Sequence, residues 1–139
     1  MYLIDTNIIS EIRKGDKANQ GVRQFFDSAC QNNTPLYISS ITIGELRRGV
    51  DLIYHRGDAF QGKLLENWLN LIIDDYQNNI LSIDYEIALL WGRLRVPEHQ
   101  HAIDKLIAAT ALNYSLIIVT RNTKDFENTG INLLNPFTD

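Results

Sequence analysis

Short apolar runs of three or four residues alternate along the chain with longer stretches in which apolar positions recur every third or fourth residue. This predicts strands and helices in turn. Tyr2-Leu3-Ile4 is the first run; it ends at Asp5-Thr6-Asn7, after which Ile8, Ile9 and Ile12 take up helical spacing. Val22, Phe25, Phe26 and Ala29 mark a second helix, and Leu36-Tyr37-Ile38, entered after Pro35, a second strand. Ser39 and Ser40 are N-cap candidates for a helix carrying Ile43, Leu46, Val50 and Ile53 on one face. Gly57 and Asp58 break it. Phe60, Leu64, Trp68, Leu71 and Ile72 then describe a long amphipathic helix that ends near Asn78-Asn79. Ile80 to Ile83 reads as a third strand, followed by a helix with Ile87, Leu90, Trp91 and Leu94 inward and closed by Pro97. Beyond the polar stretch Glu98 to His101, helical spacing returns with Ile103, Ile107, Thr110 or Ala111, and Tyr114, and Ala108, Ala109 and Ala111 suit close packing on a sheet. Leu116 to Val119, rich in β-branched residues and apolar on both faces, reads as a central strand of a parallel sheet, with Ile131 to Leu134 as a shorter last strand. The pattern predicts an α/β fold: a three-layer α/β/α sandwich with right-handed crossovers around a mostly parallel sheet of four to five strands.

The 139 residues fit one domain over 1–139, and no repeat, low-complexity stretch or Pro/Gly-rich linker divides them. Hydrophobic residues make up 45% and charged residues 22%, values of a globular chain rather than a disordered one. The longest apolar run falls far short of a spanning helix, and no basic start followed by an apolar segment precedes the first strand, so a cytoplasmic chain is expected. Cys30 stands alone, which excludes an intramolecular disulfide or a thiolate zinc site and suggests a small helix-packing residue. The net charge is −4, from 13 Lys and Arg against 17 Asp and Glu. That sign opposes a module that holds nucleic acid by phosphate neutralisation alone. It leaves room for an enzyme whose carboxylates surround a metal.

In an open parallel sheet the functional crevice lies beyond the carboxyl ends of the strands, where strand order reverses. Asp5 follows the first strand, and Asp125, with Thr120 and Asn122, follows the buried strand at 116 to 119. Asp104 stands in the first turn of one helix and Glu45 about one turn into another. Each also has a structural reading: Asp5 as a helix cap, Glu45 at capping-box spacing from Thr42, Asp104 as a dipole-favoured first-turn acid, Asp125 as a turn residue. Four carboxylates converging on one edge would repel one another unless a divalent cation offset them. Hard oxygen ligands of this kind select Mg²⁺ or Mn²⁺ over zinc. His55, His99 and His101 show no metal-ligand spacing, and the last two are read as solvated loop residues. Trp68 and Trp91 fall in helical stripes and are read as core or subunit-interface residues. Neither a phosphate-cradling glycine loop nor a nucleophile elbow is present. Arg13-Lys14, Arg47-Arg48, Arg93-Arg95 and Arg121-Lys124 flank the acidic candidates; Arg13, Lys14, Arg47, Arg48, Arg121 and Lys124 are candidate phosphate contacts, against the alternative of a solvated charged face.

Taken together, these segments resemble a family. Tyr2-Leu3-Ile4-Asp5-Thr6-Asn7, Ser39 to Leu46 with Glu45 as its acidic residue, Asp104 to Leu112, and Val119 to Phe126 are similar, in order and spacing, to the four motifs of PIN-domain proteins of the VapC type. The ending Leu134-Asn135-Pro136-Phe137 is similar to tails of the FitB-like branch. The resemblance implies the toxin of a type II toxin-antitoxin pair, a Mg²⁺- or Mn²⁺-dependent endoribonuclease. It carries the metal-ligand and catalytic role onto Asp5, Glu45, Asp104 and Asp125, with Asn122 the alternative for the fourth position. Thr6, Asn7, Thr120 and Asn122 would orient the carboxylates and a reacting water. One or two ions, and the identity of the RNA, stay open.

The resemblance further implies a homodimer, in a higher assembly with a cognate antitoxin whose C-terminal segment occupies the active-site groove. The helices around 41 to 53 and 60 to 76 are candidate partner surfaces. A different reading is a non-catalytic FitB-like partner that acts through a DNA-binding antitoxin at a promoter. A phosphoacceptor receiver domain also gathers carboxylates on a parallel sheet, but it calls for an acidic pair after the first strand and a lysine after the last core strand. Here Asp5 is followed by Thr6, and Arg121 is the nearest base.

Overall fold

The computed structural model describes all 139 residues, Met1–Asp139. Five strands, β1 (Tyr2–Ile4), β2 (Leu36–Ser39), β3 (Ile80–Leu81), β4 (Ile117–Val119) and β5 (Leu133–Leu134), form one sheet in the order β3-β2-β1-β4-β5. All four pairings are parallel, with Tyr2 opposite both Leu36 and Ile117, and Val119 opposite Leu134. Six α-helices connect them: α1 (Thr6–Ile12), α2 (Gln20–Gln31), α3 (Ser40–His55), α4 (Ala59–Asp75), α5 (Tyr85–Leu94) and α6 (Ala102–Tyr114), with 3₁₀ segments at Gly15–Lys17, Gln77–Asn79 and Thr123–Thr129. The chain builds outward from β1 through β2 to β3, then returns to the other side of β1 for β4 and β5. The strand order therefore reverses between β1 and β4, and their carboxyl ends open the crevice expected at such a point.

Both faces of the sheet are covered, as strands apolar on consecutive residues require. Ile4 and Val119 face a core made with Ile8, Ile9, Val22, Leu46, Val50, Leu69 and Ile72 from α1 to α4. Their strand neighbours Leu3 and Ile118 face the other side, against Ile107, Ala108 and Ala111 of α6 and Phe126. The alanines bring α6 close to the strands because each adds only a methyl group between helix and sheet. No helix is long and apolar enough to cross a membrane.

Several local expectations shift. β3 stops at Leu81 instead of Ile83, and β5 starts at Leu133, so both outer strands are short. On α4 the buried positions are Gly62, Leu69 and Ile72, while Phe60 (72% exposed), Leu64 (50%) and Leu71 (60%) face outward. The reason is the close contact of α4 with α3: a Cβ on Gly62 would stand 2.7 Å from the Tyr54 ring, so the glycine side of α4 must turn inward. Ile103 and Tyr114 of α6 are likewise exposed, since the alanine face takes the sheet. Cys30 lies on the exposed side of α2 and does not serve as a packing residue.

Candidate active site

Asp5 ends β1 and caps α1. Its Oδ1 accepts from the Thr6 amide at 2.8 Å, which fixes the carboxyl plane over the start of the helix. Its Oδ2 accepts from Thr120 Oγ1 at 2.7 Å and from Asn7 Nδ2 at 3.2 Å. The structural reading of Asp5 as a cap and the functional one therefore hold together in one side chain. Thr120, fully buried at the end of β4, also accepts from Asn7 Nδ2 (3.3 Å) and from the Asn122 amide (3.1 Å). Asn7 Oδ1 in turn accepts from the Arg121 amide at 3.2 Å, so the ends of β1 and β4 are stitched together at the switch point.

Glu45 does not close a capping box. Ser39 caps α3 through the Ile41 amide, Thr42 Oγ1 has no partner, and the Glu45 Oε1 accepts from Thr6 Oγ1 at 2.6 Å, drawing α3 toward Asp5. Asp104 lies in the first turn of α6, and Asp125 in the 3₁₀ segment after β4. Burial, then the charges of Asp5 and Asp125, push the Asp104 carboxyl up from 3.8 to about 6, with Glu45 adding in the same direction and His101 opposing. The Asp5 carboxyl is also raised, chiefly by burial and against the pull of Thr120 and Thr6; the charge of Asp125 adds to the rise. The charges of Asp5, Asp125 and Glu45 thus all reach Asp104, but the ligand atoms that lie within 4.8 Å of one another are those of Asp104, Asp125 and His101; Asp5 and Glu45 stand outside that group. No lysine or arginine pairs with any of the four acids.

That donor set fits a divalent cation. Carboxylates gathered partly out of water, with no ammonium or guanidinium among them, are the arrangement that a hard dication offsets. Of the two alternatives for the fourth position, the Asp125 carboxylate is the one that bears on both Asp5 and Asp104, whereas Asn122 is exposed and meets Thr120 only through its backbone.

The basic candidates divide. Arg47 is bound by Asp51 (2.8 Å) and Glu66 (2.6 Å) and clamps α3 to α4, and Lys14 pairs with Glu11 at 2.9 Å. Both have carboxylate partners of their own, away from the acidic centre. Arg13 lies over Trp68 and Arg121 over the Phe137 ring, at 5.8 and 4.5 Å. Arg48 is exposed. Lys124 lines, with Asp125, a cleft of about 560 Å³ that also involves His101, Lys105, Asn128 and Thr129. Two of these, His101 and Lys105, were not singled out for the site by sequence spacing; each is one residue or one turn from Asp104 on α6, which is the signal that could have found them.

The PIN domain model matches residues 2–132. Toxin FitB of Neisseria gonorrhoeae is 33% identical over the whole of both chains. The VapC ribonuclease Y4jK of Sinorhizobium fredii is 28% identical, covering 99% of this chain and 98% of its own. A solved structure of FitAB bound to an IR36 DNA fragment superposes with a TM-score of 0.84 at 30% identity, over 100% of this chain and 97% of that one. With a five-stranded parallel sheet and a family match across nearly its full length, this chain belongs to the PIN domain family.

Proposed function

We propose that this chain, as a single PIN domain over 1–139, is the toxin of a type II toxin-antitoxin pair: a cytoplasmic endoribonuclease that hydrolyses RNA phosphodiester bonds with Mg²⁺ or Mn²⁺. The observation that carries the reading is the approach of Asp104 and Asp125 to within reach of one ion, in the field of Asp5 and Glu45 and without a paired lysine or arginine. A bound divalent ion would supply Lewis acidity toward the phosphate and acidify water for in-line attack. The chain's own residues do the rest. Asp5, Glu45, Asp104 and Asp125 would hold the ion. Thr6 orients Glu45, while Thr120 and Asn7 orient Asp5, so these oxygens need no reorganisation when charge develops. Lys124, which lines the cleft beside Asp125, is placed to meet a phosphate.

The names of the similar proteins, a toxin and a VapC ribonuclease, support the same assignment. The structure of FitAB bound to DNA supports an assembly with a cognate DNA-binding antitoxin; a homodimer whose cleavage that antitoxin inhibits completes the proposal. Asp5→Asn and Asp104→Asn are expected to fold, by circular dichroism, and to lower metal-dependent RNA cleavage about a hundredfold or more, the scale of losing one preorganised electrostatic contact. Mapping RNA 5′ ends after brief expression of wild type and Asp5→Asn identifies the target. Undiminished cleavage by both variants would falsify the assignment. A wild-type chain that cleaves nothing but assembles with its antitoxin on DNA would instead fit the non-catalytic partner reading.

A further inference from the structure

We propose that His101 donates a nitrogen to the divalent ion held by Asp104 and Asp125, and that it biases this site toward Mn²⁺ over Mg²⁺. The inference rests on the metal-dependent reading above. His101 occupies the N-cap position of α6, yet its side chain makes no capping hydrogen bond. Its backbone is left-handed, at φ 56° and ψ 46°, a region sparsely used by residues other than glycine. In that conformation Nδ1 comes to 3.8 Å from Asp104 Oδ2. One ligand atom from each of His101, Asp104 and Asp125 lies within 4.8 Å of the others. Donors on a six-coordinate ion with bonds of about 2.1 Å stand roughly 3.0 Å apart when adjacent and 4.2 Å when opposite, and at most one pair among three can be opposite, so the three side chains close by up to about 1.8 Å to share one ion. The His101 side chain is 54% exposed and can make that adjustment.

Lys124 lines the same cleft but makes no ion pair with Asp104 or Asp125. Lys105, the base on the same turn of α6, donates to the Glu98 carbonyl oxygen and leaves both acids to the imidazole. The donor chemistry then sets the preference. Mg²⁺ is bound by oxygen and gives up its waters reluctantly; imidazole suits the later first-row transition ions best, and of the two ions here Mn²⁺ is the one that belongs to that series. A nitrogen among these carboxylates therefore strengthens Mn²⁺ binding more than Mg²⁺ binding.

The test uses the full chain and a spectroscopic readout that does not involve cleavage. His101→Gly deletes the donor and keeps a residue at ease with left-handed backbone. Mn²⁺ binding is followed by electron paramagnetic resonance, with Mg²⁺ as competitor. The expected result is an Mn²⁺ affinity about tenfold weaker in His101→Gly with Mg²⁺ affinity little changed. Spin-echo spectra of bound Mn²⁺ should show ¹⁴N modulation in the wild type, lose it in His101→Gly, and keep it in His99→Ala and His55→Ala. Absence of ¹⁴N modulation in the wild type, or equal weakening of both ions, overturns the proposal. If Asp104→Asn abolishes binding of both ions while His101→Gly changes neither, the His101 inference fails and the nuclease reading stands. If the wild type binds neither ion, both fail.

Discussion

The Asp104 carboxyl, raised to about 6 by burial and by its acidic neighbours, ties the site to the stability of the fold. In the unfolded chain it titrates near its ordinary value of about 4. Between those values the folded chain keeps a proton that the unfolded chain has released, so this group's contribution is fully present below about pH 4 and is lost as pH rises through about 6. Asp5 is shifted in the same direction. Glu11 and Glu66 are lowered by their partners and act with the opposite sign, so the effect is isolated only as a difference between variants. In chelator, Asp104→Asn is expected to melt above wild type at pH 7.5 and to lose that advantage by pH 4; added Mg²⁺ or Mn²⁺ should raise the wild-type melting temperature and not that of the variant. A variant no more stable than wild type at pH 7.5 in thermal melts counts against the charge crowding described here. The acids themselves were legible in the sequence because strand ends and helix starts of a parallel sheet fall on one rim. His101 was not: it stands one turn before Asp104, a spacing that carries the signal, but it lies in a polar stretch that reads as a solvated loop. Nor was the fate of Arg47, whose partner Glu66 lies on the next helix.

At the scale of elements, the C-terminal tail is a strap over the start of α2. Asn19 Oδ1 accepts from the amides of Gly21 and Thr138, both at 3.0 Å, and Asn19 Nδ2 donates to the Thr138 carbonyl at 2.7 Å. Gly21 permits this approach: a Cβ there would stand 2.1 Å from the Pro136 carbonyl oxygen, a backbone atom that cannot swing aside. Gly21→Ala should therefore displace the tail and cost about 1–3 kcal/mol, the range for overpacking a closed contact, read from urea denaturation. A wild-type midpoint would show that the tail gives way freely. Because Phe137 of the same tail carries the Arg121 guanidinium, the variant should also loosen a base beside the site. The sequence made the strands and helices of the inner sheet readable because β1 and β4 are short, apolar on consecutive positions and bounded by polar turns. It left the inward face of α4 ambiguous, since that helix carries apolar residues on more than one side and Tyr54, on a different helix, decides which side closes. The short outer strands β3 and β5 were overdrawn for a related reason: pairing, and not local apolar content, sets where a strand stops.

Across the whole molecule, part of the excess of four negative charges lies at the carboxyl ends of β1 and β4, where Asp5, Glu45 and Asp125 all act on Asp104. A bound dication offsets half the charge of those four acids without changing the rest of the surface. The bases around them are fewer than the sequence suggested, because Arg47 and Lys14 are held by carboxylates. Arg13, Arg48, Arg121 and Lys124 remain to meet phosphates, since stacking on an aromatic ring leaves a guanidinium charged. At roughly 0.7 per neutralised phosphate of a single strand, four contacts give a slope of about −3 in log affinity against log salt concentration. Binding should also depend on the ion, because the carboxylates repel the RNA backbone until they are offset. The measurement is fluorescence anisotropy of a nuclease-resistant single-stranded RNA analogue across monovalent salt concentrations, in Mg²⁺ and in chelator. A shallow slope in Mg²⁺ and loss of binding in chelator are expected. A slope of about −5 or steeper, or undiminished binding in chelator, would reveal a basic surface that the placement of these side chains does not provide, and the RNA would then be held somewhere other than the acidic crevice.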